Sequence, residues 1–140
     1  MKFRTRKMVA ARDLNSNGSL FGGRALEWID EEAFIFSSCQ LGTESVVTRS
    51  MSAIKFVASA RQGEIVEIGT EALAFGRSSI TLRCVMRNMK TKQIITEVNE
   101  IVFVRVGADG RPVAHGVDHP LDRELPAQTA VVEVDMAVGE

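Results

Sequence analysis

The feature that most constrains the fold is a change of hydrophobic period near residue 42. Before it, Leu26, Ile29, Ala33 and Phe36 recur at steps of three and four, the spacing of one helical face. After it come four segments rich in Val, Ile and Thr: Val46–Phe56, Ile65–Phe75, Arg77–Arg87 and Gln93–Val106. Because no helical segment separates these strands, parallel crossover units are disfavoured. The pattern predicts an α+β fold with one long helix on a curved antiparallel sheet, whose open edges favour pairing with a second copy.

Local signals indicate where these elements begin and end. We predict a short first strand over Lys2–Val9, followed by turn residues in Asp13–Ser19. The helix is expected from about Gly22 to Gln40, because Gly42 can adopt the left-handed conformation that ends a helix. We assign residues 1–106 to one domain and residues 107–140 to a C-terminal tail. Docking of the tail on the domain and docking on a neighbouring subunit both stay open.

Composition disfavours several classes of protein. The 140 residues are 45% hydrophobic and 25% charged, as in ordinary globular proteins, and a net charge of −1 argues against binding of nucleic acid. No apolar run reaches the ~18 residues that a membrane-spanning helix needs. The start of the chain also lacks the apolar stretch of a secretory signal. Two cysteines make no disulfide framework, so a cytoplasmic location is expected. From the net charge and the lack of a long apolar run, neither nucleic acid nor membrane is expected as a partner.

Two adjacent glycines, Gly22 and Gly23, stand at the predicted start of the helix. The first backbone N–H groups of a helix have no intrahelical acceptor, and the helix dipole is positive there. Because glycine has no side chain, a carbonyl oxygen can reach these N–H groups, which is the geometry of an oxyanion hole. A tight turn into the helix, or close packing of helix on sheet, explains the same glycines, so both interpretations stay open.

Asp30 follows Gly22 by about two helical turns and is expected beside the apolar stripe, next to Leu26 and Ala33. A carboxylate there loses solvation unless it is paired, and near an oxyanion hole it is a candidate general base. The rise between the two positions is ~12 Å along the helix axis. Either the substrate lies along the helix, or Gly22 of one chain meets Asp30 of another. The alternative is that Asp30 is a solvated surface acid.

Several motifs occur together in a specific order. The loop Asn15-Ser16-Asn17-Gly18-Ser19-Leu20-Phe21-Gly22-Gly23 is followed by Ile29-Asp30. Further along are Met51–Phe56, Gln62-Gly63-Glu64 and Phe75-Gly76-Arg77-Ser78-Ser79-Ile80. In this order and spacing, from roughly Lys7 to Val106, the chain resembles the hotdog-fold acyl-CoA thioester hydrolases, especially the bacterial YciA-like type. It departs from them at Val57-Ala58-Ser59, where relatives often have a proline.

The resemblance implies two groups of site residues. Asp30 matches the catalytic acid, Gly22 and Gly23 match the backbone that polarises the thioester carbonyl, and Asn15 matches a loop residue that faces the site. The catalytic group comprises Asp30, Gly22, Gly23, Asn15, Ser19 and Asn17. The group expected beside the coenzyme A arm comprises Arg77, Ser78 and Ser79. For Asn15, Asn17 and Ser19, plain turn formation is the alternative role.

The resemblance also implies a function and an assembly. The fold would be the hotdog, with a long helix wrapped by the sheet, in a homodimer or a dimer-based higher oligomer. The activity would be hydrolysis of an acyl-CoA to a free acid and coenzyme A, with no cofactor because coenzyme A is part of the substrate. A non-catalytic acyl-CoA-binding or regulatory module is the alternative.

Other chemistry-bearing residues receive simpler interpretations. Cys39 and Cys84 have the spacing of small buried hydrophobic residues. Arg83 and Arg87 share a strand face with Arg77, where they could meet phosphates or lie in solvent. The two histidines, His115 and His119, flank Asp118 in the tail, and two histidines alone are a weak indication of metal, so no metal site is expected.

Overall fold

The computed structural model describes residues 1–121 and shows one helix and five strands. The prediction of an α+β fold is confirmed. A short 3₁₀ turn, Ala11–Asp13, precedes the helix. In chain order the elements are β1 (Lys2–Met8), α1 (Gly22–Leu41), β2 (Val46–Phe56), β3 (Ile65–Phe75), β4 (Ser79–Asn88) and β5 (Ile94–Arg105).

The five strands form one antiparallel sheet in the order β1-β3-β4-β5-β2. The strand that follows the helix, β2, therefore pairs with the last strand, β5, in a register that sets Val46 opposite Arg105 and Phe56 opposite Thr96. Strands β1 and β2 are the two edges. The predicted sheet of antiparallel strands with open edges is confirmed.

The helix α1 packs on one face of the sheet and supplies the centre of the core. Ile29 and Ala33 are fully buried, as are Leu82 of β4 and Ile101 of β5. Burying a side chain the size of Ile contributes about 1.5–3 kcal/mol, so this contact fixes the helix on the sheet. The helix ends at Gly42, whose φ of 65° is the left-handed conformation that glycine adopts without strain.

The strand β2 is exposed along most of its length. Beyond Val46, only Met51 of its residues is partly buried. Val47 is 48% exposed and Phe56 is 57% exposed. Apolar side chains on an edge strand, which has a neighbouring strand on one side only, are a surface that natural proteins usually cover.

The described part of the tail lies against the domain. Val113 donates its N–H to the Arg105 carbonyl, and Gln40 of α1 exchanges two hydrogen bonds with the backbone of Leu121, both 2.8 Å long. Residues 122–140 of the predicted tail lie outside the described residues, and the domain boundary at residue 106 stays a prediction. Within residues 1–121, no helix combines the length and the apolar character needed to cross a membrane.

Candidate active site

The loop before α1 is anchored by one buried acid. Asp13 is 4% exposed; its Oδ2 accepts the Ala10 N–H at 2.9 Å, and its Oδ1 lies 3.3 Å from Arg24 Nε. The Asp13 carbonyl accepts the N–H of Phe21 at 2.9 Å, immediately before the helix. Both ends of the loop are therefore tied to the same residue, which fixes where the helix starts.

Asn15 shapes the tip of this loop. Its Oδ1 accepts the backbone N–H groups of Asn17 at 2.9 Å and Ser19 at 3.2 Å, and its Nδ2 donates to Ser19 Oγ at 3.1 Å. Gly18 has a φ of 76°, which a residue with a side chain rarely adopts. Asn15 thus stabilises the turn through side-chain hydrogen bonds to the backbone, as its residue type predicts. Asn17 is exposed and takes part through its backbone.

The first two residues of the helix present free donors. Neither Gly22 N–H nor Gly23 N–H makes a hydrogen bond to any atom of residues 1–121, whereas the next two, those of Arg24 and Ala25, donate to the Phe21 carbonyl. Free N–H groups at the positive end of a helix attract an electronegative atom such as a carbonyl oxygen. Both amides therefore keep the free donors that an oxyanion hole requires, and their role in catalysis stays a prediction.

Gly22 faces a cavity of about 300 Å³ that it shares with two predicted site residues, Asn15 and Ser19. Phe56 and Thr96 also line it. A Cβ on Gly22 would lie 3.1 Å from Cε1 of the Phe56 ring, so the ring covers the helix start closely. Polar loop atoms thus lie on one side of the cavity and an aromatic ring on the other.

Gly23 lines a different cavity, of about 380 Å³, with Arg12, Phe21 and Arg24. A Cβ on Gly23 would lie 2.8 Å from Cε1 of the exposed Phe21 ring. The two glycines are adjacent in the chain but border separate spaces.

Asp30 is half-buried on α1, and the Thr48 hydroxyl of β2 donates to its Oδ1 at 2.8 Å. It does not line the cavity at Gly22, and the ~12 Å helical rise separates the two positions. One chain therefore brings Gly22, Asn15 and Ser19 together but leaves Asp30 at the exposed β2 edge.

The predicted coenzyme A group occupies the turn between β3 and β4. Arg77 and Ser78 lie outside the strand in which the sequence pattern placed them, because Phe75 pairs with Ile80 and the chain reverses between them. The Arg77 side chain is exposed, and Ser78 and Ser79 are half-buried. This turn lines none of the cavities described above.

The remaining candidates have structural partners. Arg83 lies 3.5 Å from a Glu97 oxygen, and Arg87 Nε donates to Glu67 at 2.7 Å, so neither is a free cation on its strand face. Burial, together with the nearby carboxylates of Glu32 and Asp30, raises the pKa of the Cys84 thiol to about 12, so it stays protonated at neutral pH. Cys39 is half-buried. Across residues 1–121, no three His, Cys, Asp or Glu side chains are grouped as a metal site requires.

Sequence reasoning missed three residues at the site. Phe56 and Thr96 line the Gly22 cavity, and Thr48 binds Asp30. Phe56 and Thr96 meet because β2 and β5 pair in register, and that register is not visible in a strand pattern. The one sequence signal for Phe56 is its position as the last residue of the strand-like segment Val46–Phe56.

Comparison with known proteins identifies one family. Residues 17–95 match the thioesterase superfamily. A relative from Buchnera aphidicola, named an uncharacterized acyl-CoA thioester hydrolase, is 29% identical over 121 residues, which cover 80% of this chain and 85% of the relative. The sequence resemblance to thioester hydrolases is confirmed by these matches.

Solved structures agree in architecture. A hexameric thioesterase from Yersinia pestis superimposes with a TM-score of 0.75 at 25% identity, covering 81% of this chain and 93% of the other. An acyl-CoA hydrolase from Staphylococcus aureus, solved with butyryl coenzyme A and coenzyme A, superimposes with a TM-score of 0.72 at 25% identity, covering 85% of this chain and 71% of the other. A hotdog fold thioesterase of Campylobacter jejuni also superimposes, with a TM-score of 0.72 at 22% identity, covering 81% of this chain and 90% of the other, and the predicted hotdog fold is thereby confirmed.

Proposed function

Because the chain belongs to the thioesterase superfamily, we propose that it is an enzyme that hydrolyses acyl-CoA thioesters to a free carboxylic acid and coenzyme A. The observation that carries this proposal is the pair of acceptor-free amides at the head of α1, one of which faces a cavity lined by Asn15 and Ser19. The names of the Buchnera and Staphylococcus proteins support acyl-CoA as the substrate class.

In this proposal the thioester carbonyl oxygen accepts a hydrogen bond from Gly22 N–H, and Gly23 N–H adds to the positive potential. These donors stabilise the negative charge that develops on the oxygen when the carbon is attacked. Asp30 orients a water molecule and takes its proton. The water oxygen bonds to the carbonyl carbon, the C–S bond breaks, and the sulfur of coenzyme A leaves and is protonated. Direct attack by the Asp30 carboxylate, through an anhydride that water then cleaves, is the second route.

We propose that each site is shared by two chains. Asp30 lies beside the open edge strand β2, away from the Gly22 cavity of its own chain. Val47 and Phe56 leave apolar surface on that edge, which a second copy would cover. A homodimer formed along β2 would bring Asp30 of one chain to Gly22 of the other. Hexamers built from such dimers are supported by the hexameric Yersinia structure.

Arg77, Ser78 and Ser79 are proposed to contact the coenzyme A arm of the substrate. Arginine binds phosphate oxygens through paired N–H groups, and Arg77 is exposed at the tip of a tight turn. We propose no cofactor other than this substrate group, and a cytoplasmic location.

The test of this function is Asp30→Asn, which keeps size and hydrogen bonding to Thr48 but removes the base. We expect hydrolysis to fall by roughly 10²–10⁴-fold, the usual contribution of a general base. Glu31→Gln on the neighbouring exposed position is the matched control and should keep the parent rate. Release of the coenzyme A thiol, measured with a thiol reagent over a series of acyl chain lengths, reports the rate.

Two results would contradict the proposal. An Asp30→Asn variant within a few-fold of the parent would remove Asp30 from the reaction. A parent protein that binds acyl-CoA without releasing thiol from any chain length would favour the non-catalytic binding module instead.

A further inference from the structure

The turn that joins β3 to β4 is fixed through its backbone. Gly76 N–H donates to the Ser79 carbonyl at 2.9 Å and closes the hairpin, and Arg105 of β5 donates its N–H to the Ser78 carbonyl at 2.8 Å. A Cβ on Gly76 would collide with Ser79 Oγ, so the turn is tightly closed. The turn therefore has little freedom to move relative to the sheet.

His115 of the tail makes two hydrogen bonds to this turn and a third within the tail. Its backbone N–H donates to the Arg77 carbonyl at 3.1 Å, its Nε2 lies 2.8 Å from the Ser79 carbonyl, and its Nδ1 accepts the Val117 N–H at 3.0 Å. Because Nδ1 accepts, the ring proton is assigned to Nε2, which donates to Ser79. The ring also meets Phe75 edge-on, with centroids 6.3 Å apart.

We infer that His115 is a positioning residue, which fixes the Arg77–Ser79 turn to receive the phosphate-bearing arm of coenzyme A. This inference rests on the proposed function. His115 acts through the backbone of the turn, whereas Arg77 supplies an exposed guanidinium that makes no ion pair within residues 1–121. A guanidinium binds phosphate best when its backbone is already in place, since less freedom is lost on binding.

Loss of the ring hydrogen bonds should weaken binding of coenzyme A more than it slows the reaction. The proposed reacting groups, Gly22 and Asp30, belong to α1, whereas the hydrogen bonds of His115 within residues 1–121 go to Arg77, Ser79 and Val117. A role limited to overall stability would lower the melting temperature without changing the affinity for coenzyme A in particular.

The experiment compares three variants. His115→Phe keeps packing on Phe75 and loses both ring hydrogen bonds, His115→Gln keeps a donor near the Nε2 position, and His119→Gln changes an exposed histidine of the same tail. The Kd of free coenzyme A is measured by calorimetry. The kcat and KM are measured for an acyl-CoA and for the matching acyl-N-acetylcysteamine thioester, which lacks the phosphates. Amide exchange is measured over residues 76–80.

We expect His115→Phe to raise the coenzyme A Kd and the acyl-CoA KM by about fivefold to tenfold, the effect of losing one or two hydrogen bonds. Its kcat and its KM for the short thioester should stay near those of the parent, and exchange over residues 76–80 should be faster. His115→Gln should restore most of the affinity, and His119→Gln should match the parent. If His115→Phe does not fold, His115→Asn, which keeps the acceptor for Val117 but not the Nε2 donor, takes its place.

The outcomes separate this inference from the function on which it rests. A His115→Phe protein that hydrolyses acyl-CoA with the parent's KM and binds coenzyme A with the parent's Kd would overturn the inference and leave the function standing. Equal losses on acyl-CoA and on the short thioester would also overturn it, because the phosphates would then play no part. A parent that releases no thiol from any acyl-CoA would overturn the proposed function itself.

Discussion

At the scale of single residues, Gly22 offers a test of the free amide that no side-chain deletion could give. It is the first residue of α1, where proline is well tolerated, and Phe21 before it has φ −64° and ψ 129°, which suit a residue preceding proline. Gly22→Pro therefore removes one N–H and keeps the helix. We expect it to lower kcat by ~10²–10³-fold, as loss of an oxyanion-hole donor does, measured by thiol release.

Gly22→Ala is the matched control, because it adds a Cβ at the same place and keeps the N–H. The added methyl would lie 3.1 Å from the Phe56 ring, which is 57% exposed and can move aside. Its kcat should stay well above that of the proline variant, and thermal melting should show both variants folded. Equal rates for the two variants would mean that the Gly22 amide does not bind the carbonyl.

Residue types predicted the local geometry of the site better than its partners. The turn chemistry of Asn15 and the glycine start of the helix follow from properties of those residues alone. The Thr48 hydroxyl on Asp30 depends on how β2 lies beside the helix, and the cover of Phe56 over Gly22 depends on the β2–β5 register. Both contacts depend on tertiary packing, which no short spacing of residues in the sequence predicts.

At the scale of secondary-structure elements, a buried acid joins β1, β3 and β4 on the outer face of the sheet. The Glu67 side chain is 3% exposed, and its oxygens lie 2.7 Å from Arg87 Nε and 3.0 Å from Lys92 Nζ. Arg6 of β1 lies 3.8 Å away. The alternating pattern of β3 does not predict this burial, because Glu67 shares a strand face with the more exposed Glu71. Long side chains from the neighbouring strands cover it.

This cluster predicts acid-sensitive stability. Burial raises the pKa of Glu67, but the hydrogen bonds and charges of Arg87 and Lys92 more than offset this and hold the pKa below its usual range. A carboxyl with a lowered folded-state pKa stabilises the protein above the unfolded-state pKa of about 4.3 and loses that contribution as pH falls through the folded-state value. Glu67→Gln should cost roughly 1–3 kcal/mol at neutral pH.

Urea unfolding of parent and Glu67→Gln from neutral to acidic pH is the measurement. The difference in unfolding free energy should shrink once pH drops below about 4.3, because the parent carboxyl then becomes neutral as well. Glu71→Gln on the same strand is the control. The Glu71 side chain is 40% exposed and comes no closer than 3.8 Å to Arg83, and such long surface ion pairs contribute little to stability. A difference that stays constant over this pH range would show that the Glu67 charge does not stabilise the fold.

At the scale of the whole molecule, the proposed reacting groups Gly22 and Asp30 do not meet within one chain. The order of elements was predictable from the change of period at residue 42, because a helix followed by uninterrupted strands has few ways to pack. The place of β2 at the sheet edge was not predictable, because the strand pattern does not indicate which strands are neighbours in the sheet. That placement puts Asp30, which accepts a hydrogen bond from Thr48 of β2, beside an open sheet edge and makes a second chain part of the proposed site.

A mixed dimer tests this sharing directly. Chains carrying Asp30→Asn and chains carrying Gly22→Pro are co-expressed with different affinity tags, oligomers that contain both kinds of chain are purified through both tags, and activity is expressed per mixed dimer within them. If Gly22 of one chain works with Asp30 of the other, one site of this dimer carries both lesions and the other carries none. Hydrolysis should then return to about half of the parent rate per dimer, because one of the two symmetry-related sites is intact. If both groups of a site come from one chain, each site keeps one lesion, and the mixed dimer stays as inactive as the Asp30→Asn and Gly22→Pro proteins alone.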